Sequence, residues 1–89
     1  MSADEVITQA AQLITGGDYG GAMGVFEQYI ESNPDDPAGY HGWAEAALFD
    51  IQENGNLDDK GNDRINEGQI NAYFRRAANM APDNADYNA

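Results

Sequence analysis

The sequence predicts an all-α protein made of two antiparallel helical hairpins. Three observations predict this fold class. Apolar residues recur every three or four positions in four segments, a residue that can cap a helix precedes each segment, and a Gly, a Pro or a polar run follows each. With 89 residues and no Cys, the chain fits one domain over residues 1–89 that no disulfide stabilises.

The first hairpin is predicted to contain two helices joined by a very short turn. Ser2 and Glu5 have the spacing of a capping box, which predicts a first helix over about residues 3–15. Two glycines end this helix, and Asp18 can cap a second helix that ends at Asn33 and Pro34. The apolar positions of the two helices are Val6, Ala10, Leu13, Ile14, Tyr19, Ala22, Met23, Phe26, Tyr29 and Ile30. Because the connection is short, we expect the helices to lie antiparallel and in contact.

The second hairpin begins at Asp36 and Pro37, which favour the first turn of a third helix that continues to about Gln52. A polar run over residues 53–64 then predicts an exposed loop. Asn66 with Gln69 can cap a fourth helix that ends before Pro82. The apolar positions of these two helices are Tyr40, Trp43, Ala44, Ala47, Leu48, Ile51, Ile70, Tyr73, Phe74, Ala77 and Ala78.

Five of the ten glycines lie between Gly16 and Gly24. This stretch lacks the Lys-Ser/Thr ending and the preceding strand of a phosphate-binding loop. We interpret it as a turn followed by a close helix crossing.

An internal repeat relates the two hairpins. Between the first helices of the two hairpins, Ala10 matches Ala44 at an offset of 34 residues. Between the second helices of the two hairpins, the offset is larger by fourteen residues, which is the length of the polar insertion. The matches at the larger offset are Ala22 with Ile70, Phe26 with Phe74, Tyr29 with Ala77 and Pro34 with Pro82. We expect the small residues to let paired helices approach and Phe26 and Phe74 to fill the gap beside them.

The run Gly17-Asp18-Tyr19, followed by Ala22, Phe26 and Pro34, resembles the second half of a tetratricopeptide repeat. The resemblance implies an α-α superhelix, a right-handed solenoid of helical hairpins, with repeat one at about residues 3–36 and repeat two at about 37–84. Repeat two departs from the family by an inserted loop over about residues 53–65, and Trp43 stands where Leu is usual. Residues 85–89 resemble the start of a third copy.

The resemblance also implies that the first helix of each pair lines a concave groove that holds a peptide or a partner helix. The groove residues would be Ile7, Ala11, Ile14, His41, Glu45, Leu48 and Phe49. They form an apolar strip with acidic edges, to which Asp4 and Ala38 would add, and the alternative is that Ile14 and Phe49 pack inside the hairpins. A family branch that holds acidic chaperone tails uses bases on this face, but the matching positions here are Ile7, Ala11 and Gly42. We therefore expect no such carboxylate clamp.

Self-association is an alternative function. At least three repeats are normally needed for a stable stack, and no capping helix is predicted over the last one. The predicted self-association face is Tyr73, Phe74 and Ala78.

The polar loop offers a second alternative, calcium-dependent binding. Residues 58–66 resemble an EF-hand loop with Ile65 at its hydrophobic position. The match is incomplete, because Lys60 stands at a ligand position, Asp63 replaces the glycine of the sharp turn and Gln69 replaces the bidentate Glu. We predict no metal site and no cofactor. If a cation binds, its oxygens would come from Asp58, Asn62, Asp63 and Glu67.

The charge of the chain limits its partners. Sixteen acids oppose four bases, and no Lys or Arg precedes Lys60. Nucleic acid and anionic membranes are therefore poor partners, whereas a protein or peptide with basic residues remains possible. A strongly solvated surface is the more common meaning of such acidity. Without a secretory leader or a long apolar run, we expect a cytoplasmic protein.

Catalysis is not predicted. The only His is His41, Cys is absent, and the Ser and Thr residues lie outside any recognisable nucleophile motif. A lone His on a helix is more often a groove or surface residue than a general base, because a base needs an orienting partner. We therefore expect a binding protein, not an enzyme.

Overall fold

The computed structural model describes residues 2–81. They form four helices, α1 (Ala3–Thr15), α2 (Tyr19–Ser32), α3 (Pro37–Asn54) and α4 (Glu67–Met80). The predicted all-α class and the positions of all four helices are confirmed. No helix in residues 2–81 is both long and apolar enough to cross a membrane. The predicted third copy, residues 85–89, lies outside the described residues.

The capping residues act as the sequence predicts. The Ser2 hydroxyl accepts a hydrogen bond from the Glu5 amide (3.3 Å), and the Asp18 carboxylate accepts one from the Gly21 amide (2.9 Å). Asp36 and Asn66 do the same for the first turns of α3 and α4. These bonds satisfy amide groups that have no partner within the helix, so each helix begins at a residue fixed by local chemistry.

A left-handed glycine ends α1. Gly17 has φ +85°, and the amides of Gly17 and Asp18 donate to the carbonyls of Ile14 (2.9 Å) and Leu13 (2.8 Å). This is a Schellman motif, which leaves only Asp18 before α2 begins. The turn is therefore as short as predicted, and α1 and α2 pack against each other.

The four helices pack in chain order, each against the next, and α1 also contacts α3. The buried core contains the small residues Ala10, Ala22, Ala44, Ala46 and Ala47, and the large residues Val6, Phe26, Tyr29, Trp43, Ile65 and Ile70. Ala77 is also fully buried. The small residues of the repeat and Phe26 are thus buried in the core as expected, whereas Phe74 is only half-buried.

The close helix crossing is not where the glycine-rich stretch predicted it. A Cβ at Gly20 or Gly24 would meet nothing within 4 Å. The helical glycines that lie against a neighbouring helix are on α3, where a Cβ at Gly39 would lie 2.8 Å from Cγ1 of Ile30 and one at Gly42 would overlap the ring of Phe26. The prediction was wrong because helix rotation, and not glycine content, decides which glycines face a neighbour.

The connection between α3 and α4 covers residues 55–66 and begins two residues later than predicted, because α3 continues to Asn54. It forms a small folded turn in which Leu57 pairs with Asp63. The Asn56 side chain accepts from the Ile65 amide (2.8 Å) and donates to its carbonyl (2.9 Å). Ile65 is buried in the core, so the polar insertion ends in an apolar anchor.

Candidate functional site

Exposed large apolar side chains are concentrated on the first helix of each hairpin. Among residues 2–81 four such side chains are exposed: Ile7 (46%), Leu48 (38%), Phe49 (40%) and Leu57 (68%). Ile7 lies on α1, Leu48 and Phe49 lie on α3, and Leu57 lies in the loop. Neither α2 nor α4 carries one, so the apolar surface of the helices belongs to α1 and α3.

On α1, the predicted groove residues differ in exposure. Ile7 and Ile14 are seven residues apart and therefore lie on the same side of the helix. Ile7 and Ala11 are exposed, whereas Ile14 is half-buried and packs against the core. Ile14 therefore packs partly within the hairpins, which was the alternative to a groove role. Ile7 is the main exposed apolar side chain on α1.

On α3, Glu45, Leu48 and Phe49 are exposed and His41 is half-buried. The His41 ring packs edge-on against the Phe74 ring at 5.5 Å between centroids, and its Nδ1 atom lies 3.7 Å from the Glu45 carboxylate. Phe49 does not pack inside the hairpin.

Two residues expected on this face are not there. Ala38 is buried, and Gly42 lies under Phe26. Gly42 therefore packs between helices, although its match to a carboxylate-clamp position implied that it lies on the surface.

The electrostatic environment of α1 and α3 is acidic, and α1, α2 and α3 contain no Lys or Arg. Nearby, Arg64 binds the buried Asp50 of α3 at 3.0 Å. Burial alone would raise the pKa of Asp50. Hydrogen bonds from Asn54 and Arg64, with the charge of Arg64, outweigh it and hold that pKa below its ordinary value.

The self-association face already makes contacts within the chain. The Tyr73 ring packs edge-on against Tyr40 (5.2 Å) and Trp43 (5.1 Å), and Phe74 packs against His41. Ala78 is half-buried. Only the remaining part of this surface is open to a second molecule.

Three of the four candidate cation ligands belong to the folded turn. One oxygen of Asp58 accepts from the amides of Lys60 (2.8 Å) and Asn62 (2.9 Å), while Asp63 pairs with Leu57 and Glu67 begins α4. Within residues 2–81, no three His, Cys, Asp or Glu side chains are grouped so that they could hold a metal ion.

Clefts lie on other parts of the molecule. One of about 170 Å³ lies between α1 and α2, lined by Val6, Gln9, Val25, Gln28, Tyr29, Ser32 and Asn33. Another of about 400 Å³ lies between the α2–α3 turn and α4, lined by Pro34, Asp35, Ala72, Arg75, Arg76, Asn79 and Met80. Neither of these two clefts includes a groove residue.

Sequence reasoning missed both clefts and the Asp50–Arg64 ion pair. The ion pair joins residues fourteen positions apart on α3 and in the loop, and no helical periodicity relates them. The first cleft was not detectable either, because Gln9, Gln28 and Ser32 look like ordinary solvated positions. Comparison of the chain with protein-family models, with curated proteins and with solved structures finds no match.

Proposed function

We propose that the chain is a protein-interaction scaffold of the tetratricopeptide-repeat type, a right-handed stack of helical hairpins that binds a peptide or a partner helix on α1 and α3. The single observation that supports this function most is the position of Ile7, Leu48 and Phe49. Exposed apolar side chains cost solvation free energy, and their concentration on two contacting helices is typical of an interaction surface.

The packing order also supports the proposal. Each helix packs against the next, and the two first helices contact each other, as expected if the hairpins stack in parallel. The lone His41 contacts Phe74 and Glu45, which is compatible with a binding role and gives no reason to propose catalysis. The cytoplasmic location is part of the same proposal.

Self-association through Tyr73, Phe74 and Ala78 remains the alternative. The exposed residues of α4 are mostly polar or charged, and Tyr73 and Phe74 are half-buried against α3. A net charge of −12 also makes two copies repel each other. Sedimentation at several protein concentrations would detect a dimer if the alternative is correct.

The proposal can be tested with a displayed library of random peptides. Peptides selected on the parent protein should bind Phe49→Asp and Ile7→Asp at least tenfold more weakly, since each change places a charge in the contact surface. Leu57→Asp is the matched control, because Leu57 is exposed but lies in the loop. Equal affinity for the parent and for both folded groove variants would reject the proposed surface.

A further inference from the structure

The charge around the groove residues limits what can bind there. Asp4 and Glu45 are exposed on α1 and α3, and Glu45 lies one turn from Leu48 and Phe49. No Lys or Arg lies on either helix or on α2, and His41 is the one imidazole beside Glu45. A ligand placed on Leu48 and Phe49 therefore meets carboxylates and no Lys or Arg from these helices.

The four bases of the chain lie elsewhere. Arg64 is bound to Asp50 and to the carbonyl of Gly55, and Arg76 lies over the Tyr40 ring at 4.8 Å. Arg75 is exposed on α4, beside the cleft at the α2–α3 turn, and Lys60 is at the exposed tip of the loop. Within residues 2–81, none of these four bases forms an ion pair with Glu45, whose ionisable neighbour is His41.

The groove positions also define a spacing. Ile7 and Ile14 are seven residues apart on α1, as are His41 and Leu48 on α3, which corresponds to about 10 Å along a helix axis. A ligand helix with apolar residues at i and i+7 presents anchors at the same interval, and residues at i+3 and i+4 widen its stripe enough to contact two helices.

We infer that the groove residues bind a cationic amphipathic helix of a partner protein, with apolar anchors seven residues apart and Lys or Arg beside them. This inference rests on the proposed function and adds the chemical class of the ligand. The apolar anchors contact Ile7, Leu48 and Phe49, and a base of the ligand pairs with Glu45. The same acidic edge disfavours ligands that carry phosphate or many carboxylates.

The probe for the test is a fluorescein-labelled 18-residue peptide of Leu and Lys with Leu at helical spacing. Two matched peptides accompany it: one with Glu in place of every Lys, and one with the same Leu and Lys residues in an order without an apolar face. Fluorescence anisotropy at physiological salt should show binding of the Leu/Lys helix at least tenfold tighter than either matched peptide.

Protein variants separate local contact from long-range attraction. Glu45→Lys and Glu31→Lys change the net charge equally, but Glu31 is exposed on α2, which carries none of the groove residues. We expect Glu45→Lys to weaken binding at least tenfold and Glu31→Lys less than threefold. Glu45→Gln, with a circular dichroism spectrum equal to that of the parent, provides a milder variant with the same direction of effect.

The outcomes distinguish this inference from the proposed function. If the Leu/Lys and Leu/Glu peptides bind equally well and both lose affinity with Phe49→Asp, binding at the groove residues is supported. The inference that the ligand is cationic is then wrong. Two results would show attraction by net charge alone and overturn the inference. One is an equal loss of affinity with Glu45→Lys and Glu31→Lys. The other is equal binding of the Leu/Lys peptide whose residue order gives no apolar face. Absence of Leu/Lys binding, while library-selected peptides still require Phe49, also overturns it.

Discussion

Gly42 of α3 lies directly against the ring of Phe26 of α2, and there is no room for a Cβ atom between them. Gly39, one turn earlier on α3, lies in the same way against Ile30 of α2. A glycine inside a helix costs about 1 kcal/mol relative to alanine, so its presence here indicates that the contact with Phe26 offsets that cost.

We expect Gly42→Ala to destabilise the protein although alanine favours helices. Overpacking costs about 1–3 kcal/mol, which exceeds the gain in helix propensity. The matched control is Gly24→Ala on α2, where the new Cβ meets nothing within 4 Å, and we expect it to raise stability by about 0.4–1 kcal/mol. Urea unfolding followed by circular dichroism measures both, and equal effects at the two sites would contradict the contact.

A double-mutant cycle tests whether Phe26 is the cause. Phe26→Ala alone should cost about 3–5 kcal/mol, a large fraction of the stability of a domain this size. Phe26→Leu is milder and keeps the fold measurable. In that background Gly42→Ala should cost less than in the parent, since the ring it would overlap has been removed.

The Asp50–Arg64 ion pair makes a second prediction. Arg64→Met removes the partner of a buried carboxylate and its bonds to the Gly55 carbonyl, so we expect a loss of about 1.5–3 kcal/mol. Arg75→Met removes the same charge from an exposed position on α4 and should change stability by less than about 0.5 kcal/mol. Thermal unfolding measures the two variants, and similar melting temperatures would argue that Arg64 does not anchor the loop.

The pH dependence of stability should carry a contribution from Asp50. Its pKa is lowered in the folded protein from an ordinary value of 3.8, so its stabilising effect is present above that value and is lost as the pH falls through the lower folded pKa. Asp50→Asn removes this titration. Below about pH 4 the free energy of unfolding of the parent should therefore fall more steeply than that of the variant. Parallel curves would contradict the assignment.

The helices could be predicted from the sequence because their signals are local. Ser2, Asp18, Asp36 and Asn66 each bind an amide two or three residues ahead, so no tertiary information is required. The end of α3 was predicted two residues too early, and here too the signal is local. Gly55, with φ +75°, ends the helix, and the polar residues before it continue the helix even though they bury nothing.

The glycines and the site depend on tertiary packing, which the pattern does not contain. Gly24 and Gly42 are both glycines inside helices, yet only Gly42 faces a neighbouring ring. Ile7 and Ile14 share a side of α1, yet Ile14 is half-buried and Ile7 is exposed. Periodicity predicts on which side of a helix a residue lies. Whether that residue is exposed depends on where the neighbouring helix ends.

Ile65 and Leu57 allow a test of the loop anchor. Ile65 is buried in the core, whereas Leu57 is the most exposed large apolar side chain among residues 2–81. Ile65→Ala should cost about 2–5 kcal/mol, and Leu57→Ala should change stability by less than about 0.5 kcal/mol. Urea unfolding of the two variants checks the difference, and a tolerated Ile65→Ala would mean that the loop does not depend on its apolar end.

Calcium should leave the melting temperature unchanged. One oxygen of Asp58 already accepts two amide hydrogens, and no group of three acidic, His or Cys side chains is assembled within residues 2–81. A ligand that binds only the folded state at a hundred times its Kd stabilises by about 2.7 kcal/mol, which for a domain of this size raises the melting temperature by several degrees. Thermal unfolding with millimolar calcium and with a chelator measures the difference, and Asp58→Asn serves as the control. A rise that occurs only with calcium and disappears in Asp58→Asn would establish a cation site in the loop and contradict the prediction.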